Sequence, residues 1–455
     1  MYHATQYIIR EGDKLFEYCQ KMSALANNMY NVALFHIRQV MTAMSKKANG
    51  ETLHANEVAV LADIETYLPA MNARRKKGDP FEMPTPTKKF VGYHFLDALF
   101  KVSDNVDYMS DLPKQATQNM IKLAARDMKA FFAALRAYKE DPSPFTGKPN
   151  LPRYKKSGGQ CTIEFTNQDA RLCDGELKLP KTKTRLAVGP HVKGTLKTVE
   201  IKPYCGCFKI IVVCDDGIAT PEAPKESVRI AAIDFGVNNI AAIANNVGLP
   251  GLLFKGGVIK AENQWYNKKR ASITHGLTVG HKNPTQRTCR SLEALSAHRD
   301  DFMRTFLHTV SNRIIQWCVE NNIDTLILGH NKGWKQDVNI GAVNNQSFVN
   351  IPFSKLQEYL RYKGENNGIK VIDQEESYTS KAGFLDMDMI PIYSETSKDK
   401  PSFSGRRIQR GLYRSKDGTV VNADLNSAGN ILRKAFPDAF TTETTHRFLT
   451  DIITM

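Results

Sequence analysis

The stretch Ile230-Ala231-Ala232-Ile233-Asp234-Phe235-Gly236-Val237-Asn238-Asn239 constrains this chain more than any other. Its apolar run is too short for a helix and too apolar for a surface strand, so it predicts a buried strand. Asp234 ends the run, and a second apolar run, Ile240 to Ala244, follows within a few residues, so the pair reads as a hairpin. A carboxylate on a central strand loses hydration, and a bound divalent cation is the usual compensation. The plain alternative is an Asp that shapes a turn ahead of a glycine. The rest of the chain bears on that choice.

A chain of 455 residues predicts two or three domains. Lys and Arg outnumber Asp and Glu by 62 to 47, a net charge of +15. Such an excess points to a polyanionic partner, nucleic acid ahead of an anionic membrane. No apolar run is long enough to span a bilayer, and Met1 opens no signal-peptide pattern, so an intracellular protein without a membrane partner is expected. The eight cysteines form no C-x-x-C pair, and Cys205-Gly206-Cys207 is too tight for a zinc knuckle. Reduced structural thiols are expected.

The opening Tyr2 to Arg10 reads as a strand and Leu15 to Met44 as a helix. An amphipathic helix is predicted from Gln115 to Lys139, with Ile121, Ala124, Met128, Phe131, Phe132 and Leu135 on its apolar side. Lys122, Arg126, Lys129 and Arg136 align on the opposite side. On one helix this is ordinarily a solvated face, and in a chain this basic it is a candidate phosphate-contacting stripe. Prolines from Pro142 to Pro152 break the pattern, and Arg153-Tyr154-Lys155-Lys156 forms a basic loop. Residues 160–216 read as β and 217–227 as a linker. From Val228 the pattern is α/β: three strands, a basic helical region, a strand at Asp324 to Leu328, a helix, a strand at Ile369 to Ile372, and a helix opening near Asp424. This is the order of an RNase H-like nuclease core.

In such a core three acidic positions can converge: Asp234 after the first strand, Glu375 or Glu376 after the fifth, and Asp424 at the last helix. Three carboxylates can bridge two hard cations, which activate water and stabilise the leaving oxygen in phosphodiester cleavage.

The motifs Ala232-Ile233-Asp234-Phe235-Gly236, Glu376-Ser377-Tyr378-Thr379-Ser380-Lys381, Phe403-Ser404-Gly405-Arg406-Arg407, Arg410-Gly411-Leu412-Tyr413 and Asn422-Ala423-Asp424-Leu425-Asn426 resemble those of the TnpB proteins. These are transposon-encoded, RNA-guided DNA nucleases related to type V CRISPR effectors. The resemblance is specific from about residue 228 to 435 and looser from 115 to 216. It implies a RuvC-type, RNase H-like nuclease core with an amino-terminal helical lobe and a β-barrel-like wedge domain. Residues 1–14 would be the first wedge strand, 15–141 the helical recognition lobe, 142–222 the wedge, and 223–455 the nuclease domain with a basic lid at 379–421. The implied function is RNA-guided DNA endonuclease, with guide RNA and double-stranded target DNA bearing a short adjacent motif as partners, in the cytoplasm of a prokaryote.

Two departures refine this expectation. Most members carry a catalytic Glu after the fourth strand, where this chain has Gly329. Some branches, and the related eukaryotic Fanzor proteins, carry it just ahead of a Tyr-Thr-Ser-like motif, and Glu376 matches that relocated position. The expected catalytic and metal-binding set is therefore Asp234, Glu376 and Asp424, with two Mg²⁺ or Mn²⁺ ions. The four-cysteine zinc ribbon is missing, since residues 379–421 contain no cysteine, so no structural zinc is expected. Arg406, Arg407 and Arg410 lie in that insertion, as a solvated loop or, beside the carboxylates, a basic lid over the substrate strand. The alternatives are a guide-dependent repressor that binds DNA without cutting, kept open by Gly329, and an RNase H-fold transposase working without a guide.

Overall fold

The structure is a computed structural model that describes residues 1–280, 288–330, 351–391, 401–409, 411–440 and 447–455. The chain divides into two compact units, Met1–Ile218 and Ala219–Met455.

The first unit opens with β1 (Tyr2–Ile9), α1 (Phe16–Asn49), α2 (Ala55–Ala73), α3 (Tyr93–Val102) and α4 (Lys114–Glu140). It continues with β2 (Ile163–Thr166), β3 (Arg171–Cys173), β4 (Glu176–Lys178), β5 (Arg185–Ala187), β6 (Thr195–Tyr204) and β7 (Cys207–Asp215). The long α1 buries Met22, Ala26, Met29, Ala33, Leu34 and Ile37 at near-helical spacing. Lys46 and Lys47 suit its C-terminal dipole, and Gly50, at φ 70°, closes it. The main sheet has the order β1-β7-β6-β2, and β3-β4-β5 form a second small sheet. Cys205 and Gly206, both at positive φ, make the two-residue turn between β6 and β7. A type I′ hairpin requires that conformation, which accounts for the tight cysteine spacing.

The second unit contains β8 (Ile230–Asp234), β9 (Asn239–Asn245), β10 (Gly251–Lys255), α5 (Gly257–Thr278), α6 (Arg290–Glu320), β11 (Thr325–His330), α7 (Phe353–Asn366) and β12 (Lys370–Glu375). It ends with β13 (Arg406–Gln409), β14 (Leu412–Arg414), β15 (Val420–Asn422), α8 (Ala423–Ala435), α9 (Arg447–Thr450) and β16 (Ile452–Thr454). The large sheet has the order β12-β11-β8-β9-β10-β16. β8, β9 and β10 pair antiparallel, while β11 lies parallel to both β8 and β12. Its first five strands have the RNase H-like order expected from the sequence; the short β16, parallel to β10, is an addition to it.

Alternation along the strands sets the two faces. Ala231, Ile233, Leu326 and Leu328 pack with Leu307 and Ile314 of α6 and Leu356 and Leu360 of α7. Ile230, Ala232 and Ile327 pack with Ile431 and Leu432 of α8. Asp234 and Gly329 share the parity of the second set and therefore fall on the α8 side.

Candidate active site

Three elements bring the acidic side chains together. Asp234 ends β8 on the α8 face, and Asp424 lies in the first turn of α8. That turn is fixed by its cap: Asn422 Oδ1 accepts from the backbone N–H groups of Asp424 and Leu425, at 3.0 and 3.2 Å. Glu376 follows β12 directly and keeps the parity of Ile372, which packs on the α8 side.

Gly329 explains how Glu376 fits. A Cβ built on Gly329 would meet Glu376 Oε2 at 2.5 Å, Ile431 Cδ1 at 2.9 Å and the Ile233 carbonyl at 3.1 Å. The carboxylate of Glu376 thus occupies the volume in which a side chain at position 329 would begin. The bare backbone at Gly329 and the carboxylate of Glu376 are two parts of one arrangement.

The segment after Glu376 is fastened to α8 by buried amides and hydroxyls. Asn430 Nδ2 donates to the carbonyls of Thr379 and Ala382, at 2.9 and 2.7 Å. Asn426 Nδ2 donates to Ala382 O at 2.8 Å, and its Oδ1 accepts from the N–H of Phe384 at 2.9 Å. Thr379 Oγ1 donates to Glu376 O at 2.8 Å and lies 3.3 Å from Ser427 Oγ. The spacing of Asn426 and Asn430 by four places both on one side of the helix. The sequence reading did not assign these residues, although the run of polar side chains inside an otherwise buried helix was the available signal.

The electrostatics are those of crowded like charges. Burial, then the nearby Glu376 and Asp424, push the Asp234 carboxyl well above the usual carboxylate range, against Arg407 and a hydrogen bond from Ser427. Burial, then Glu375, push Glu376 up to about 7, against the opposing charge of Lys434. Glu375 behaves oppositely: burial would raise it, but Lys434 and Ser377 together hold it below its ordinary value. Asp424 Oδ2 accepts from Asn239 Nδ2 at 2.7 Å, and its Oδ1 lies 3.6 Å from an Arg407 guanidinium nitrogen. The buried Asn239 Oδ1 has no hydrogen-bond partner among the described residues.

Among the described residues, no three His, Cys, Asp or Glu side chains already stand in a metal-holding cluster. The donor set nevertheless suits hard cations, because it is all oxygen and its charges repel one another in a partly desolvated place.

The basic candidates are distributed elsewhere. Lys122, Arg126, Lys129 and Arg136 are all exposed on α4. Lys122 lies over the Tyr93 ring and Lys129 over the Phe90 ring, at 4.8 and 5.8 Å to the centroids. Lys122 and Arg126 also line an open groove of about 400 Å³ with Glu164 and Glu200, so this stripe is not uniformly cationic. The loop at Arg153, Lys155 and Lys156 is pinned to α1. Asn31 bonds both the N–H and the carbonyl of Lys155, and Asn27 donates to the carbonyl of Lys156. Lys155 lies 4.5 Å from the Tyr30 ring centroid, while Arg153 is exposed.

Residues 406–422 are not merely a solvated loop, for β13, β14 and β15 form a three-stranded antiparallel sheet. Buried Tyr413 anchors it by donating to the Lys381 carbonyl at 2.9 Å. Arg406 and Arg407 are consecutive on β13, and Arg407 pairs with Asp424 in the carboxylate site. Arg410 lies outside the described residues.

Comparison with known proteins agrees with this half of the chain. Residues 212–335 match the OrfB_IS605 family, described as a probable transposase, and residues 353–431 match the Cas12f1-like TNB domain. The chain is 24% identical over 347 residues to the putative RNA-guided DNA endonuclease InsQ of Escherichia coli (strain K12), covering 73% of this chain and 77% of that protein. It is 28% identical over 227 residues to the TnpB-like protein ORF457 of Acidianus two-tailed virus, covering 48% and 43% respectively. It is 23% identical over 274 residues to the CRISPR-associated endodeoxyribonuclease Cas12f1 of Sulfoacidibacillus thermotolerans, covering 55% and 59%.

Proposed function

We propose that the chain, similar to TnpB-type proteins along much of its length, is an RNA-guided DNA endonuclease whose catalytic carboxylates are Asp234, Glu376 and Asp424. The observation that carries this reading is the seating of Glu376 over Gly329, on the face that Asp234 and Asp424 share. It weighs against the repressor reading, because an acid from the neighbouring strand end lies against Gly329.

Asp234, Glu376 and Asp424 would hold two divalent cations, Mg²⁺ or Mn²⁺. Such ions supply an activated water and charge stabilisation at the leaving oxygen. Asp234 brings a carboxylate fixed on a rigid central strand. Asn239 orients the Asp424 carboxylate by donating to Oδ2, leaving Oδ1 on the Arg407 side. Arg407 supplies positive charge beside the site and can meet a substrate phosphate. Thr379 and Ser427 hold the backbone after Glu376.

Guide RNA is the partner for the exposed cations of α4 and of the 153–156 loop, and target DNA is the substrate. In this reading residues 15–141 are the recognition lobe, 1–14 with 142–222 the wedge, and 223–455 the nuclease domain. A carboxylate-bearing site and a chain of net charge +15 suit cutting a polyanion after a separate surface has gripped it. The test is to purify the protein, sequence any RNA that accompanies it, and offer that complex matched DNA in Mg²⁺. Cutting that follows the guide sequence is expected. A complex that binds matched DNA and leaves it intact would establish the repressor instead, and cutting independent of RNA would establish a transposase.

A further inference from the structure

We infer that Lys434 and Glu375 form a positioning clamp whose task is to aim Glu376 at Gly329 and the other two carboxylates. The inference rests on the proposed role of Glu376 and adds two residues that act through it.

Lys434 lies in the last turn of α8, and its side chain is only 6% exposed. Its ammonium donates to Glu375 Oε2 at 2.5 Å, to the Ser377 carbonyl at 3.0 Å and to the Pro391 carbonyl at 3.3 Å. An ammonium has three donors, and all three are used here. Glu375 Oε1 in turn accepts from the Ser377 N–H at 2.7 Å. The residues on both sides of Glu376 are therefore held by one cation.

The geometry of the strand end converts that grip into an aim. With Glu375 and the Ser377 carbonyl both drawn to Lys434, the backbone on either side of Glu376 is fixed, and its carboxylate lies where Gly329 makes room. A device of this kind is needed because Glu376 sits beyond its strand, at the start of a turn. Tyr378 in that turn has φ 67°, a left-handed conformation that a non-glycine residue holds only when its surroundings impose it. A ligand on a turn is placed less accurately than one on a strand, and supporting contacts make up the difference.

A buried ion pair could equally serve stability alone, so the test needs a readout that a purely structural role would not move. Lys434→Met keeps most of the stem and removes the charge; Lys434→Arg keeps the charge. The measurements are Mn²⁺ affinity by electron paramagnetic resonance on the guide-loaded protein without DNA, the single-turnover cutting rate as a function of Mn²⁺, and thermal stability. Lys434→Met is expected to weaken Mn²⁺ binding by about tenfold or more, and added metal should recover much of the lost rate. Lys434→Arg should restore most of the affinity. Lowered thermal stability with wild-type Mn²⁺ affinity and metal dependence would overturn the clamp. If Lys434→Met does not fold, Glu375→Gln decides, with a smaller loss of affinity in the same direction supporting the clamp and none refuting it. Glu376→Gln is the separate control on the underlying reading: wild-type Mn²⁺ affinity and rate in that variant would remove the catalytic role of Glu376 itself.

Discussion

Lys122, Arg126, Lys129 and Arg136 of the first unit stand exposed along one helix, while Asp234, Glu376 and Asp424 of the second are gathered at the ends of three elements. The difference lies in what the surroundings do to each charge. The α4 cations are open to solvent, and two of them rest over aromatic rings. Burial, then Glu375, pushes Glu376 up to about 7, and burial, then Glu376 and Asp424, raises Asp234 well beyond its ordinary range. Exposed charges suit a polymer of phosphates whose sequence does not matter at the contact. Crowded, buried charges suit chemistry at one point. Substitution in the second group should therefore remove reaction and spare binding, and substitution in the first should do the reverse.

The largest effect tests the second group. Asp234→Ala, Asp424→Ala and Glu376→Gln are each expected to lower cutting by roughly a thousandfold or more, with guide and DNA affinity nearly unchanged. Chelating divalent metal from the wild-type complex should have the same result, reversed by adding Mg²⁺ or Mn²⁺. Gel-based cutting rates alongside binding titrations check both halves. Parallel loss of binding in all three variants would break the contrast between the units.

The next effect tests the room at position 329. Gly329→Ala adds a Cβ into space held by Glu376 Oε2, Ile431 and the Ile233 carbonyl. Ile431 is packed and the carbonyl belongs to the central strand, so the carboxylate is the group that gives way. A cutting loss of about a hundredfold is expected from a displacement of that size, with a stability loss of about 1–3 kcal/mol. Full activity in Gly329→Ala would mean that Glu376 does not need the seat.

Much of this second unit is legible in the sequence, and the reasons are local. The run Ile230 to Asp234 has no competing periodicity, and Asp424 sits inside an N-terminal cap signature, so both fall where the sequence puts them. The position of Glu376 is legible only through a motif. The geometry that seats it, a glycine on the neighbouring strand, pairs residues 47 positions apart. Lys434 is equally silent in sequence, since a lysine in a last helical turn reads as an ordinary dipole-complementing cation. The three-residue β16 is too short to carry an alternation pattern, and the arginines of β13 suggest a solvated loop until Tyr413 is seen to be buried beneath that sheet.

A smaller effect tests the first group. Replacing Lys122, Arg126, Lys129 and Arg136 together with Ala should weaken binding alike for all guide-matched targets. The slope of log affinity against log salt should flatten by up to about three to four, because each lost phosphate contact returns less than one counterion. Cutting at saturating nucleic acid should persist. An unchanged slope would make the stripe an ordinary solvated face, a result that Glu164 and Glu200 in the adjoining groove make worth checking.

The smallest effect asks whether burial governs titration in the second unit away from the carboxylates. His308 stacks on Tyr359 with ring centroids 3.9 Å apart. Burial first, then Lys363 and Arg304, lower its pKa from 6.5 to about 4. The unfolded chain therefore binds this proton more readily than the folded one. Stability from this group is intact above pH 6.5 and declines as pH falls from there towards 4. The ring is only half-buried, so solvent screening limits the loss to about 1 kcal/mol. All three tryptophans, Trp265, Trp317 and Trp334, belong to residues 219–455, so fluorescence excited at the indole follows this unit alone. Urea midpoints read this way should fall between pH 6.5 and 4 in the wild type, and less steeply in His308→Gln. Equal slopes would show that the histidine takes up its proton as freely in the fold as in water, and that desolvation acts only where the carboxylates meet.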